Sequence, residues 1–158
     1  MKLYIKRDKS SENSMFVVLD ELLNEKYLVT GSKDNIAVKD LQGNSLLKIK
    51  HTPLPAVKAY SIKDGKSSMR FFIGSTRTTV NCYFSGIGWH IRGNVFTKSF
   101  DIIDADNSLV ATHSKAFGKC IDGYGLNVIN EDRELFCIAV AICVNLGARL
   151  DNPQIQPV

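Results

Sequence analysis

Residues 135–144 read LFCIAVAICV, ten consecutive apolar side chains. Wound as a helix, this stretch is apolar on every side, so it has no face to turn to water and has to be surrounded by protein. It is too short to cross a bilayer, for which about twenty residues are needed, and it reads as a buried core helix. Asn130 is placed as the N-cap. Glu131 and Asp132 bring negative charge to the first turn, where the helix dipole favours it, and Gly147 is the expected stop. Residues 151–158, with Pro153 and Pro157, read as a loose tail.

Working outward from that helix, the first 129 positions break into short runs of β-formers separated by turn residues. The expected strands are 2–6, 15–19, 26–30, 36–39, 45–50, 56–62, 69–74, 79–84, 88–92, 99–103, 109–114 and 123–129. Asp64-Gly65 is a tight-hairpin pair. Lys33-Asp34-Asn35, Gln42-Gly43-Asn44 and Asp106-Asn107 tolerate left-handed backbone. Pro53 and Pro55 cannot donate to a ladder, so they are expected to mark an edge or a crossing between sheet halves.

The chain of 158 residues, 44% hydrophobic and 23% charged, fits one soluble globular domain, residues 1–150. The start, MKLYIKRDK, alternates apolar and charged residues and does not read as a targeting segment. Cys82, Cys120, Cys137 and Cys143 form no CxxC pair. Two of them fall in the buried helix, where a free thiol behaves as a small hydrophobe, so a reduced, cytoplasmic setting is expected and a disulfide framework is not. Charge is uneven along the chain. Residues 41–100 carry nine basic side chains against one acid, Asp64, whereas residues 101–158 carry four basic and eight acidic.

Two segments look alike. Tyr27-Leu28-Val29-Thr30-Gly31 matches Trp89-His90-Ile91-Arg92-Gly93, and Ile36-Ala37-Val38-Lys39-Asp40 matches Phe100-Asp101-Ile102-Ile103-Asp104. The offset of 62 to 64 residues reads as an internal duplication, with halves near 1–62 and 63–130 followed by a helix at 131–147. A duplicated half-sheet that closes on itself gives a barrel and removes exposed edges. About a dozen strands enclose a lumen that their own side chains do not fill, with room for one helix. Ala139 and Ala141 keep LFCIAVAICV slim enough to be that helix. The expected fold is thus mostly β, a closed antiparallel barrel of about twelve strands around one hydrophobic C-terminal helix.

The short strands, WHIRG (89–93), FDIIDADNSLV (100–110), Asp122-Gly123-Tyr124-Gly125-Leu126-Asn127-Val128 and the Asp132-Arg133-Glu134 lead into the helix resemble the LURP-one-related group. That group belongs to the tubby C-terminal-like superfamily, with the phospholipid scramblases. The resemblance spans nearly the whole chain through apolar spacing, and it implies the same barrel. Members often carry an acid near the end of the helix, where Asn145 stands here. Tubby domains bind phosphoinositide headgroups and scramblases act on lipids, but none of their basic positions carries over to a numbered residue here. Fold alone assigns no activity.

Enzyme and cofactor motifs are not found. Gly65-Lys66-Ser67 lacks the earlier glycine of a phosphate loop, Tyr60 standing there, and no helix follows. Gly86-Ile87-Gly88 lacks the third glycine of a dinucleotide motif and reads as a bulge or close backbone approach. His51, His90 and His113 have no partner at metal-ligand spacing, and each reads as a strand residue with a satisfied hydrogen bond. Asp101, Asp104 and Asp106 resemble a fragment of a calcium loop without its glycine and closing glutamate, which reads as a solvated turn. No catalytic residue, metal or cofactor is assigned.

The basic middle is the sharpest functional feature. Lys48 and Lys50 flank Ile49 in strand alternation, so both are expected outside while Leu47 and Ile49 face the core. With Lys58, Lys63, Lys66 and Arg70 nearby they would make an anion-binding face; otherwise they are lysines blunting strand edges. The leading expectation is a non-enzymatic binding module for anionic phospholipid headgroups or another polyanion, peripheral to a membrane. A protein-interaction module without lipid affinity is the alternative, and an enzyme whose polar cavity bears His90, His113 or Cys120 is a third. Nucleic acid is not the partner expected.

Overall fold

The computed structural model describes residues 1–75, 79–116 and 123–148. Its strands are β1 (Lys2–Arg7), β2 (Ser14–Leu19), β3 (Glu25–Ser32), β4 (Asn35–Lys39), β5 (Ser45–Leu54), β6 (Val57–Lys63), β7 (Ser68–Ser75), β8 (Val80–Ser85), β9 (His90–Asn94), β10 (Ser99–Ile103), β11 (Leu109–Lys115) and β12 (Gly123–Val128). A 3-10 turn, Glu131–Arg133, then leads into helix α1 (Glu134–Gly147). Each expected strand corresponds to one observed. The loose tail, residues 151–158, and Cys120 lie outside the described residues.

The strands form one antiparallel sheet in the order β8-β7-β6-β5-β4-β3-β2-β1-β12-β11-β10-β9. Pairing of β1 with β12, Leu3 opposite Leu126, rolls the sheet into a nearly closed barrel. One seam remains: β8 and β9 approach each other but share no ladder. Closure therefore does not remove every edge. The connection between these two strands is committed to the core instead, because Trp89 is buried and meets Phe84 edge-on at 5.9 Å.

Side-chain alternation sorts the wall. Along β5, Leu47 and Ile49 are buried while Lys48 and Lys50 are exposed. Leu3, Ile5, Val18, Val38, Ile62, Phe71 and Ile102 line the inside with them, and residues 136–144 of α1 are all buried among these. Each large apolar side chain taken from water contributes about 1.5–3 kcal/mol. Ile138, Val140, Ile142 and Val144 are β-branched and indifferent helix formers. Inside a sheet whose ladders are already paired, however, only a helix satisfies its own N–H and C=O groups, so the surroundings override propensity.

Gly43 and Asn107 take positive φ as their turns predict, and three turns differ. None of Lys33-Asp34-Asn35 is left-handed; the positive φ beside that turn falls on Gly31. Lys63 pairs with Ser68, so Asp64-Gly65 opens a four-residue loop and not a two-residue turn. The prolines mark no crossing: Leu54 pairs with Val57, making Pro55-Ala56 a tight β5–β6 turn with Ala56 at φ 61°. Proline followed by positive φ is the type II pattern. Pro53 sits where β5 has outrun β4, whose last paired residue, Asn35, faces Lys50. Its missing N–H costs no ladder bond there.

The proposed duplication has matching marks in both halves. Gly31 pairs with Ile36, and Gly93 pairs with Phe100. Both glycines have positive φ, 125° and 109°, and a Cβ on either would strike the carbonyl oxygen across the hairpin, Asn35 O or Ser99 O. We propose that β1–β6 and β7–β12 descend from one six-strand unit.

Side chains of the wall meet both ends of α1, a carboxylate at the first and backbone carbonyls at the last. At the start, Glu134 takes Lys26 Nζ at 2.6 Å and Tyr27 Oη at 3.1 Å. Burial and that carboxylate push the Tyr27 hydroxyl pKa up. Asn130 caps through its backbone alone: its carbonyl accepts from Arg133 N at 3.0 Å and its side chain makes no cap bond. The last turn of α1 contains no basic residue, so its carbonyls are met from outside the helix. Lys58 donates to Gly147 O at 3.1 Å, and Lys98 donates to Val144 O at 3.1 Å and Ala148 O at 2.5 Å. Gly147 is the last helical residue and not a left-handed stop. Its smallness serves packing, since a Cβ there would lie 2.7 Å from Tyr60 Oη and 3.1 Å from Ile73 Cδ1.

His113 completes this end. Its ring is buried between Phe100 (4.7 Å) and Tyr124 (5.2 Å), with Nδ1 2.6 Å from Lys98 O. Nδ1 is thereby the donor. Asn145 Nδ2, 3.4 Å from Nε2, faces the acceptor nitrogen of a neutral ring. Burial lowers the His113 pKa from 6.5 to about 4.

Two outcomes are expected. Ala141, with no exposed surface, lies in the middle of α1, so Ala141→Asp places an unpaired charge among apolar side chains. Calorimetry should show no cooperative melt; a melt near the parent's temperature would contradict burial. Because the folded state holds His113 below its ordinary pKa, the unfolded chain takes the proton first, and stability falls as pH drops from about 6.5 towards about 4. Urea melts between pH 6.5 and 5 should show a loss of about 2 kcal/mol that His113→Gln does not share.

Candidate functional site: a basic outer face

The strand registers decide which basic residues share a surface. Lys48 pairs directly with Lys63, and Lys50 pairs with Ser61, which pairs with Arg70. All four charged side chains are exposed, on the outer face of β5, β6 and β7. Neighbouring strands lie about 4.8 Å apart, so Lys50 and Arg70 stand roughly 10 Å apart across Ser61. Lys66 lies at one end of this face, in the 64–67 turn. There the N–H groups of Ser67 and Lys66 hold the Asp64 carboxyl below its ordinary pKa, so an anion stays beside Lys66 and offsets it.

Lys58 is not on this face. It pairs with Ile73, a buried residue, and points into the barrel to reach Gly147 O. The reason is phase: Lys58, Tyr60 and Ile62 are the inward positions of β6. Five of the six expected residues are thus exposed on or beside one face, and the sixth serves the helix.

Small residues give the face its relief. Thr30, Gly31, Ala37 and Ser61 floor a hollow of about 460 Å³ whose rim carries Lys48, Lys50 and Lys63. Among the described residues, no carboxylate forms an ion pair with Lys48, Lys50, Lys63 or Arg70; the described pairs are Lys26–Glu134, His51–Asp34 and Arg92–Asp101, with Met1 near Glu131. Directly opposed like charges cost about 0.2–1 kcal/mol, so the Lys48–Lys63 pair opposes folding. A larger hollow of about 860 Å³ beside β1 is of mixed sign, since Asp8 and Glu25 stand in it with Lys6, Arg7 and Lys9.

The apolar neighbours of the basic rows were not singled out by sequence. Thr52, Ala59, Phe72 and Tyr83 form the next cross-strand row. Phe72 and Tyr83 stack at 4.7 Å with their planes 11° apart, and half of the Tyr83 surface is exposed. Strand alternation in β7 and β8, in phase with Arg70, could have placed them.

Elsewhere the histidines meet the expectation of a satisfied strand residue only in part. His51 Nδ1 meets Asp34 Oδ1 at 2.9 Å while its buried Nε2 has no hydrogen-bond partner among the described residues, His113 is packed as described, and His90 is exposed. Burial pushes the Cys82 and Cys137 thiols up to about 12 and Cys143 well above its ordinary value, so these thiols stay protonated. Asp101 pairs with Arg92 at 3.0 Å, Asp104 accepts from Ala105 N, and Asp106 accepts from Ser108. Gly88 is a close approach, since a Cβ there would lie 2.9 Å from Ala105 Cβ.

Comparison with known proteins bears on the whole barrel. The LURP-one-related family model matches residues 1–145. YxjI, an uncharacterised protein of Bacillus subtilis (strain 168), is 24% identical over 151 residues, covering 92% of this chain and 93% of that protein. The X-ray structure of an Arabidopsis thaliana protein has the same fold, with a TM-score of 0.59 and 16% identity, covering 92% of this chain and 91% of that one. With twelve strands, the central helix and a family match reaching from β1 into the last turns of α1, the chain belongs to the LURP-one-related family.

Proposed function

We propose that this protein is a non-enzymatic binding module that takes an anionic partner, phospholipid headgroups foremost, on the outer face carrying Lys48, Lys50, Lys63 and Arg70. The position of these residues in the sheet carries the reading. Lysines that blunt a strand edge belong on edge strands. Here β5 and β6 are interior to the sheet order, and the edges are β8 and β9. Edge protection therefore does not account for Lys48, Lys50 and Lys63. The Lys48–Lys63 opposition and the shortage of carboxylates leave a field that an anion would relieve.

No helix among the described residues is long and apolar enough to cross a membrane. The interaction proposed is accordingly with the surface of an anionic membrane. Each lysine or arginine near such a surface contributes about 1 kcal/mol, and the contribution fades within a Debye length of about 10 Å at 0.1 M salt. Sedimentation with phosphatidylserine-containing vesicles should show salt-sensitive binding. Replacing Lys48, Lys50 and Arg70 together with glutamine should weaken it by about 3 kcal/mol, roughly a hundredfold. Equal binding to neutral phosphatidylcholine vesicles, or no sedimentation, would discard the reading. Retention of a protein partner at high salt would instead favour an interaction module.

A further inference from the structure

The outer face of β5–β8 changes character along the strands. The row Lys50–Ser61–Arg70–Ser85 is polar and cationic. Two residues further along, Thr52–Ala59–Phe72–Tyr83 is mainly apolar. Beyond it, Leu54 and Val57 close the β5–β6 hairpin around Pro55-Ala56. That tip, Leu54-Pro55-Ala56-Val57, contains no polar side chain, although Leu54 is 50% exposed and Pro55 and Ala56 are exposed too. Of the usual turn residues, glycine, proline, asparagine, aspartate and serine, this turn has only the apolar one, Pro55. At the opposite end of the barrel the exposed leucines, the adjacent Leu22 and Leu23 and the single Leu41, stand in turns that also carry Glu21 and Asn24, or Gln42 and Asn44, so polar side chains interrupt them.

We propose, resting on the anionic-surface reading above, that this face docks on a bilayer in two levels, with Leu54 and the Phe72–Tyr83 pair entering the interfacial zone while Lys50 and Arg70 hold lipid phosphates. The dimensions agree. Strand rise is about 3.4 Å per residue, so the aromatic row lies roughly 7 Å beyond the cationic row and Leu54 roughly 14 Å beyond Lys50. Interfacial segments sink about 5–10 Å into the boundary between headgroups and acyl chains, which leaves the cationic row at phosphate height. Tyrosine suits that zone, having an apolar ring and a polar tip. A soluble polyanion would use the cationic rows and leave the apolar tip without a purpose. A nucleic acid strand is disfavoured because Phe72 and Tyr83 already stack on each other, so no open slot is left for a base between them.

Leu54→Trp tests the proposal directly. The native chain has one tryptophan, Trp89, which is 5% exposed and serves as an internal control. With phosphatidylserine–phosphatidylcholine vesicles brominated along the acyl chains, the introduced indole should shift to the blue and be quenched, while native fluorescence stays unchanged. Leu54→Asp should weaken vesicle binding roughly tenfold or more, and should leave binding of a soluble probe, inositol hexakisphosphate, unaltered. Vesicles that sediment with Leu54→Trp but do not quench it would overturn the docking geometry and leave the anionic-surface reading standing. Failure to sediment would remove both. Single-stranded RNA that binds with equal loss in Leu54→Asp would replace the bilayer as the partner.

Discussion

A helix with no polar face can be kept only where water is excluded, and that exclusion leaves the peptide groups at its ends without partners. The rest of the structure answers this constraint. Twelve strands supply the dry cylinder; at the start of the helix Lys26 and Tyr27 fix the Glu134 side-chain carboxylate, and at the other end Lys58 and Lys98 supply the hydrogen bonds that the last carbonyls lack within the helix. The cations also meet the negative end of the helix dipole, a part usually taken by basic residues of the helix itself. Lys98 adopts φ 66°, an uncommon conformation for a residue with a side chain, and its carbonyl is tied to His113. Strain at one turn residue is thus held in place by the bonds that close the helix.

Much of this was legible in sequence because it rests on local rules. Alternation in β5, turn residues between strands, and the apolar run at 135–144 each act over a few residues, and the strands, their order along the chain and the buried helix follow from them. What lay beyond reach depends on contacts between distant positions. Nothing near Lys98 in sequence signals Val144 or Ala148, and Trp89's commitment to the core, which accompanies the open seam, concerns packing and not propensity. Lys58 is a different case. Its phase with Tyr60 and Ile62 was available, but a lysine on an inward position reads as outward until a buried acceptor, Gly147 O, is known. The helix ends at Gly147 as expected, but the close approach to Tyr60 and Ile73 that needs a glycine there is invisible in one dimension.

The candidate face was legible only in outline. An excess of nine basic residues over one acid in residues 41–100 announces a field, but register decides which of them stand together. Register placed Lys48 beside Lys63 and Lys50 in line with Arg70, sent Lys58 inside and left Lys66 next to its compensating Asp64. It also set an aromatic row alongside. A one-residue slip in any of these strands would have dispersed the group, so the face is as strongly specified as the core behind it.

This coupling separates two sets of residues that evolution and experiment can vary independently. In β5 and β7, inward positions such as Leu47, Ile49, Phe71 and Ile73 touch α1 or its neighbours and tolerate little change in volume. Outward positions Lys48, Lys50 and Arg70 contribute little to the core, and the opposed Lys48–Lys63 pair works against it. With the lumen occupied by α1, the outside of the wall is where a ligand meets the fewest structural obligations. A family built on this plan can keep its interior and change its partners by rewriting alternate residues of four neighbouring strands. Likeness of fold at 16% identity is accordingly a poor guide to what any one member binds.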